Sequence, residues 1–233
     1  MTLAFVTGGS RGLGLETAKA LRRSGAEVLL FATDRTKLEI AAADIGANFK
    51  VIDFLDLQNS KMVLEEAIAE FGVPDTLILA HGVMSEKMSK TMRTSIEEWR
   101  RVLSINLDSV FLSLNILGPG MVERRSGRII VYSACLGRMS GPGNAGGLAP
   151  YRISKAGVNA LVRNFAHETG LGSRGILIDA VCPNHTRTDM GGPDAPRSVE
   201  EGAETAIWLA SRNFEPATDH TGVLWEDRNI IPW

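Results

Sequence analysis

The chain has 233 residues, 44% of them apolar and 22% charged, enough for one large α/β domain or two small ones. A net charge of -2 gives no electrostatic case for a nucleic-acid partner. The two cysteines, Cys135 and Cys182, lie far apart and form no Cys-x-x-Cys or Cys/His cluster, which argues against a disulfide framework or a structural zinc site and fits a reduced, cytoplasmic setting.

The opening MTLAFVTGGS has no basic segment ahead of a longer apolar core, so no secretory leader is expected. From there, apolar runs of strand length alternate with stretches of helical period. LAFVT precedes a helical segment from Leu13 to Arg23, EVLLFA one from Arg35 to Ile45, and FKVIDF one from Ser60 to Glu70. TLILA is followed by a polar connection and a long helix from about Ile96, opened by the capping box Ser95-Ile-Glu-Glu98. Within it, Val102 to Val122 is apolar enough to test as a membrane span. Asn106, Asp108, Asn115 and the break Gly118-Pro119-Gly120 argue for a buried core helix instead, so no membrane partner is expected.

GRIIVY leads through a loop to a helix from Tyr151, and ILIDAVC to one from about Val199 to Ala210; GVLWE closes the series. Ser60 and Ser198 are plausible helix starts. Gly25, Gly46, Gly72 and Gly127 fall near helix ends, where a left-handed cap is wanted. Continuous apolar strands alternating with helices imply right-handed crossovers. The expected fold is α/β, a doubly wound sandwich with a seven-stranded, mostly parallel sheet, as one domain over residues 1–233.

The first strand and helix are joined by VTGGSRGLGLE. Gly8 allows the tight turn, Gly12 lets backbone approach a pyrophosphate, and Gly14 lets helix pack on strand, while the helix N-terminus offers free N–H groups to phosphates. Further on, YRISK places Tyr151 and Lys155 four apart, on one face of a helix. A phenol is a poor acid–base at neutral pH; a neighbouring ammonium favours the phenolate and is expected to lower its pKa, letting Tyr151 hand a proton to a carbonyl oxygen.

The spacing Gly-x-x-x-Gly-x-Gly, together with YRISK, resembles the short-chain dehydrogenase/reductase family over essentially the whole chain. The closing TDMGGPDAPRSVEEGAETAIWLA and the terminal IPW look like its carbonyl-reductase-like branch. The resemblance implies a Rossmann-type fold around a nicotinamide dinucleotide, held by Gly8, Ser10, Arg11, Gly12, Leu13 and Gly14. It places Thr33 near the ribose, Asp53 and Phe54 near the adenine, Ala80 and Gly82 after the fourth strand, and Lys155 and Thr188 at the nicotinamide. The acid that would bond a ribose 2′-OH in an NAD enzyme is replaced by Ala32. Arg11 matches an arginine that contacts a 2′-phosphate, Arg35 could assist, and Asp34 counts mildly against, so NADP(H) is favoured over NAD(H). By the same resemblance Tyr151 is the acid/base, Lys155 its electrostatic partner, and Asn106, unfavourable inside a helix, part of a proton relay.

The pattern also breaks. The family's catalytic Ser lies three residues before a glycine; counting back from Gly137 gives Ala134. Ser133 is one position early, where strand alternation aims it at the other face unless an irregular turn re-aims it. It stays a candidate, as do Ser140 and Asn144. Asn-Asn-Ala-Gly is replaced by Leu79-Ala80-His81-Gly82, and Pro-Gly by Pro183-Asn184-His185. His81 and His185 thus fall where cofactor and substrate are expected, as loop or pocket-lining residues or as substitute donors; His167 and His220 are expected at the surface. The short connection from Thr188 to Ser198 suggests an open pocket able to take a bulky carbonyl or alcohol.

The expected activity is interconversion of a carbonyl and an alcohol. The missing Ser keeps two alternatives open: a non-redox enzyme (a cyclase, dehydratase or epimerase) and a nucleotide-sensing binding protein. Helices beginning near residues 96 and 151 form the family's usual subunit interface, which implies a homodimer or homotetramer.

Overall fold

The computed structural model describes residues 2–86, 90–141 and 146–233. The apolar runs pair as β1 (Leu3–Thr7), β2 (Glu27–Ala32), β3 (Asn48–Val51), β4 (Thr76–Leu79), β5 (Gly127–Tyr132), β6 (Ile176–Val181) and β7 (Leu224–Glu226), with β8 (Asn229–Ile231) at the edge. Their order is β3-β2-β1-β4-β5-β6-β7-β8, and all neighbours are parallel except β7 and β8. The sheet therefore has eight strands where the sequence predicts seven. The added strand is the three-residue return arm of a hairpin turned by Asp227 and Arg228, both at positive φ (50° and 60°). A turn of that hand suits the twist of a hairpin, but here it lacks the Asn-Gly or Asp-Gly signal that would reveal it in sequence.

Helices α1 (Gly12–Arg23), α2 (Arg35–Ile45) and α7 (Val199–Ser211) cover one face of the sheet. On the other lie α3 (Leu57–Phe71), α5 (Ser109–Arg124) and α6 (Ala149–Glu168), with α4 (Ile96–Leu103) alongside α6. Strand alternation divides the core: Phe5, Leu29, Leu77 and Ile129 pack under α3, α5 and α6, and Val6, Leu30, Ile78 and Ile130 under α1, α2 and α7.

Several helix ends differ from expectation for local reasons. Helix α3 starts three residues before Ser60, because Asp56 caps it by accepting from the Asn59 amide (2.9 Å); Ser60 Oγ instead donates to the Asp53 carbonyl (2.8 Å). Ser198 opens α7 with a complete capping box. Ser95 caps α4, but the box there is half formed: the Glu98 carboxylate accepts from the Glu86 amide (2.8 Å) and pairs with Arg101 (2.7 Å). Gly25, Gly46 and Gly72 take positive φ. Gly127 does not; the left-handed residue at that end is Arg125 (φ 54°), and Gly127 is small because a Cβ would lie 2.5 Å from Met121 Cε.

The long helix predicted from Ile96 is α4 and α5 joined by a π-helical turn, Ser104–Asp108, with Asn106 buried at its centre. The run Ile96–Arg124 is long and apolar enough to cross a membrane, with a mean hydropathy of 1.4 in its most apolar window. Val110, Leu114, Leu117 and Met121 along it pack on the sheet. The chain leaves β1 toward β2 on one side and β4 toward β5 on the other, which opens a crevice at the C-terminal ends of these two strands.

Candidate active site

A groove of about 530 Å³ occupies that crevice, and every residue expected to contact the cofactor except Arg35 lines it. The turn after β1 forms its floor. Gly8 (φ 67°) is packed so closely on the end of β4 that a Cβ would sit 2.9 Å from the Ala80 carbonyl carbon, and a Cβ on Gly14 would lie 2.4 Å from the Gly8 carbonyl oxygen. Those contacts let α1 approach end-on. Its N-cap residue, Arg11, is extended and makes no side-chain cap, and no acid lies in the first turn. The first-turn amides are therefore free for an anion, and the residues present fit a dinucleotide.

At the ribose end, Ala32 and Thr33 line the groove and bring no carboxylate. Asp34 faces elsewhere: it caps α2 by accepting from the Lys37 amide (3.1 Å) and pairs with the Lys37 ammonium (3.4 Å). Arg35 pairs with Glu39 (3.3 Å) and lies outside the groove lining. Asp53 accepts from the Leu55 amide (3.0 Å), and Phe54 stacks on the His81 ring with centroids 4.2 Å apart. Arg11 reaches across to form an ion pair with Asp189, a partner 178 residues away that nothing in the sequence marks. Asp189 follows Thr188, whose methyl faces Gly12.

At the inner end, α6 presents Tyr151 and Lys155, 6% and 5% exposed. Ser85 Oγ accepts from the Tyr151 amide (2.9 Å), fixing the start of the helix to the loop after β4. Lys155 Nζ donates to the Tyr132 carbonyl (2.7 Å) and stands 5.9 Å from the Tyr151 ring centre. Burial lowers the Lys155 pKa to about 8. The expected lowering at Tyr151 is not found. Burial, reinforced by Cys182 and Cys135, raises its phenol above the ordinary tyrosine range, so in the protein alone it is a held proton rather than a phenolate.

Asn106 Oδ1 accepts from the Val83 amide (2.8 Å), and its Nδ2 donates to the Val83 carbonyl (2.9 Å) and to Ser154 Oγ (3.1 Å). Both amide hydrogens are thus engaged.

The substituted positions sort clearly. Ser133 is buried and its Oγ donates to Asn159 Oδ1 (2.6 Å) on α6, while Ala134 packs with Tyr151 and Val102. Ser140 Oγ donates to the Trp233 carbonyl (3.2 Å), and Asn144 lies outside the described residues. His81 is half-buried at the groove wall between Thr7 Oγ1 and Ser109 Oγ, each 2.6 Å from a ring nitrogen. Because Ser109 Oγ donates to the Ile105 carbonyl (2.5 Å), it accepts from His81 Nε2. Burial, then the nearby Lys155, lowers the His81 pKa to about 3, so the ring is neutral. His185 is exposed, donates to the Gly191 carbonyl (2.7 Å), and lies off the groove. Asn184 takes the left-handed conformation (φ 59°) where the family pattern has glycine, one of the few side chains that tolerates it. His167 and His220 are exposed.

A parallel sheet of this order, with a glycine turn under an uncapped helix and a buried Tyr–Lys pair at the far end of the groove, defines a dinucleotide-binding oxidoreductase scaffold. The short chain dehydrogenase family model matches residues 2–198, and the chain belongs to that family. Family membership implies a nicotinamide cofactor and small carbonyl or alcohol substrates. Among curated relatives, 3-oxoacyl-[acyl-carrier-protein] reductase FabG of Escherichia coli (strain K12) is 36% identical over 190 residues, 81% of this chain and 75% of that protein. A solved short chain dehydrogenase/reductase family protein superposes with a TM-score of 0.83 at 27% identity, covering 96% of this chain and 94% of its own. A structure described as ribose-5-phosphate isomerase from Brucella melitensis 16M gives the same TM-score at 28% identity, over 96% and 89%.

Proposed function

We propose that the protein is an NADP(H)-dependent, carbonyl-reductase-like enzyme interconverting a carbonyl and an alcohol, with Tyr151 as acid/base. The observation that carries this reading is the buried Tyr151–Lys155 pair at the inner end of the dinucleotide groove. A nicotinamide held in the groove would supply or accept the hydride at the reacting carbon. Tyr151, held protonated by burial, gives its proton to the substrate oxygen, and the Lys155 ammonium favours the phenolate left behind. Lys155 lines the groove's inner end, which supports its holding the nicotinamide ribose. Asn106 ties the loop after β4 to α6, and a main-chain carbonyl of the π turn would hold a water that passes protons toward Lys155. At the other end, Thr33 and Arg11 accept a 2′-phosphate where Ala32 offers no carboxylate to a 2′-OH.

The apolar environment of Ala134 favours one alternative, a non-redox reaction on the same scaffold. Following NADPH absorbance over a panel of ketones and aldehydes separates the readings. The expected result is turnover with oxidation, falling by about 10²–10⁴ in Tyr151→Phe while cofactor affinity stays the same. Product without net NADPH loss supports the non-redox reading, and binding without product a sensor. Phe111 on α5 and Ile153 on α6 are 56% and 47% exposed, which supports a dimer or tetramer through these helices, to be read by light scattering.

A further inference from the structure

Cys135 and Cys182 are 47 residues apart in sequence but neighbours in space. Strands β5 and β6 end side by side, with Tyr132 opposite Val181 and the Ser133 amide donating to the Val181 carbonyl (2.8 Å). The next residues turn back as a 3-10 turn, Cys135–Gly137, and the Cys135 amide donates to Cys182 Sγ at 3.0 Å. Covalent geometry holds a cysteine sulfur roughly 3–4 Å from its own amide nitrogen. A rotation about the Cys135 χ1 therefore sweeps its sulfur past that of Cys182. Both are free; Cys182 is 2% exposed and Cys135 partly exposed.

We propose that Cys135 and Cys182 form a dithiol modification site that exchanges with small disulfides of the glutathione class, Cys135 reacting first and Cys182 closing an intramolecular bridge beside Tyr151. The accessible thiol is also the more acidic one. The neighbouring Cys182 sulfur holds the Cys135 thiol pKa below the usual cysteine range, and the same proximity together with burial raises that of Cys182. In the first step the Cys135 thiolate attacks one sulfur of the small disulfide; its S–S bond breaks, and one thiolate leaves and takes a proton. In the second, Cys182 loses its proton to solvent and attacks the Cys135 sulfur, expelling the second thiolate. The protein dithiol is oxidised by two electrons, and the small disulfide is reduced to two thiols.

The bridge would act on the site because the turn it clamps touches both active-site side chains. Ala134 packs on Tyr151, and Gly137 lies so close to α6 that a Cβ there would sit 2.6 Å from the Lys155 carbonyl carbon.

The test treats the native protein with oxidised glutathione, quenches with acid and an alkylating agent, and measures intact mass and peptide linkage. The expected result is a Cys135–Cys182 bridge, reversed by dithiothreitol. In Cys182→Ser a stable glutathione adduct on Cys135 replaces the bridge, and Cys135→Ser stays unmodified. Cys182→Ala repeats the second arm without adding a hydroxyl. No thiol loss in the native protein, bridges only between chains, or faster modification of Cys182 than of Cys135 would overturn the proposal. This thiol readout needs no substrate, so it stands or falls apart from the reductase reading.

Discussion

The two ends of the groove treat the family pattern differently. At the cofactor end the contacts are made by backbone, and the residues that permit them are all in place: Gly8 against Ala80, Gly14 against Gly8, and the uncapped first turn of α1. At the substrate end the expected contacts are made by side chains, and three of the loops that carry them are rewritten around Ala134, His81 and Asn184. A backbone cradle has few chemical solutions, because any Cβ at Gly14 meets a carbonyl oxygen. A hydroxyl donor can be dropped or moved and the fold survives. The cofactor end therefore reports the class of reaction, and the substrate end reports where this chain departs from its relatives.

The sharpest way to test that contrast is Ala134→Ser. A normal reductase of this family aims two hydroxyls at the carbonyl oxygen, and one preorganised donor at such a site is worth about 10²–10³ in rate. Ala134 shares an apolar cluster with Tyr151 and is 9% exposed, while Ser133 is the one of the two that lines the groove, so the pair of variants decides which position serves the reacting end. The expectation is a rise of that order in kcat/KM on simple ketones. Ser133→Ala, which removes the bond to Asn159 and a longer one to the Lys155 carbonyl, should leave the rate nearly unchanged and lower stability by about 1 kcal/mol. A collapse of activity in Ser133→Ala with no gain in Ala134→Ser would reverse the assignment.

On the other side of the comparison stands Gly14→Ala. Its Cβ would be 2.4 Å from the Gly8 oxygen, and relief requires the turn and α1 to separate. Overpacking of this kind costs about 1–3 kcal/mol, so cofactor affinity should fall by roughly 10–100-fold for NADPH and NADH alike. Titration by quenching of intrinsic fluorescence checks it, and an unchanged affinity would mean the turn does not form the cradle.

How much of this was legible follows the same division. The strands, the glycine turn, Tyr151 and Lys155 could be read because each rests on local periodicity or fixed spacing. The π turn at Asn106 could not: a widened turn keeps the apolar period of the flanking helix, and only an amide in an unfavourable place hinted at it. Arg11 with Asp189, and Cys135 with Cys182, are partnerships across the sheet that sequence distance hides. The sign of the Tyr151 shift is hidden because spacing places Lys155 one turn away without saying that the phenol is buried.

The Arg11–Asp189 pair gives a smaller and more selective effect. Both side chains are more than half exposed, so screening limits what either contributes. Arg11→Ala should weaken NADPH by up to about tenfold and leave NADH nearly unchanged, because only the 2′-phosphate makes a charge-assisted bond there. Asp189→Asn, which frees Arg11 from its present partner, should tighten NADPH by a few-fold. Equal losses for both cofactors in Arg11→Ala would show that Arg11 serves the pyrophosphate or the fold instead.

The smallest effect sits at the boundary between the two ends, at His81. Its pKa of about 3 in the fold lies below the ordinary 6.5, so between those values the unfolded chain binds a proton that the folded protein refuses. Its contribution to stability is therefore whole above pH 6.5 and is lost as the pH falls toward 3, with a slope approaching about 1.4 kcal/mol per pH unit. His81→Phe keeps a ring to stack on Phe54 and removes both the titration and the bonds to Thr7 and Ser109. At pH 8 the variant should be less stable by about 1–3 kcal/mol, since those buried hydroxyls lose a partner. Urea midpoints for the two proteins should then draw together between pH 6.5 and 4, because only the wild type has a histidine to lose. Carboxylates titrate alike in both and cancel in the difference. A gap that stays constant over that range would mean His81 takes up its proton in the folded state as readily as in the unfolded chain.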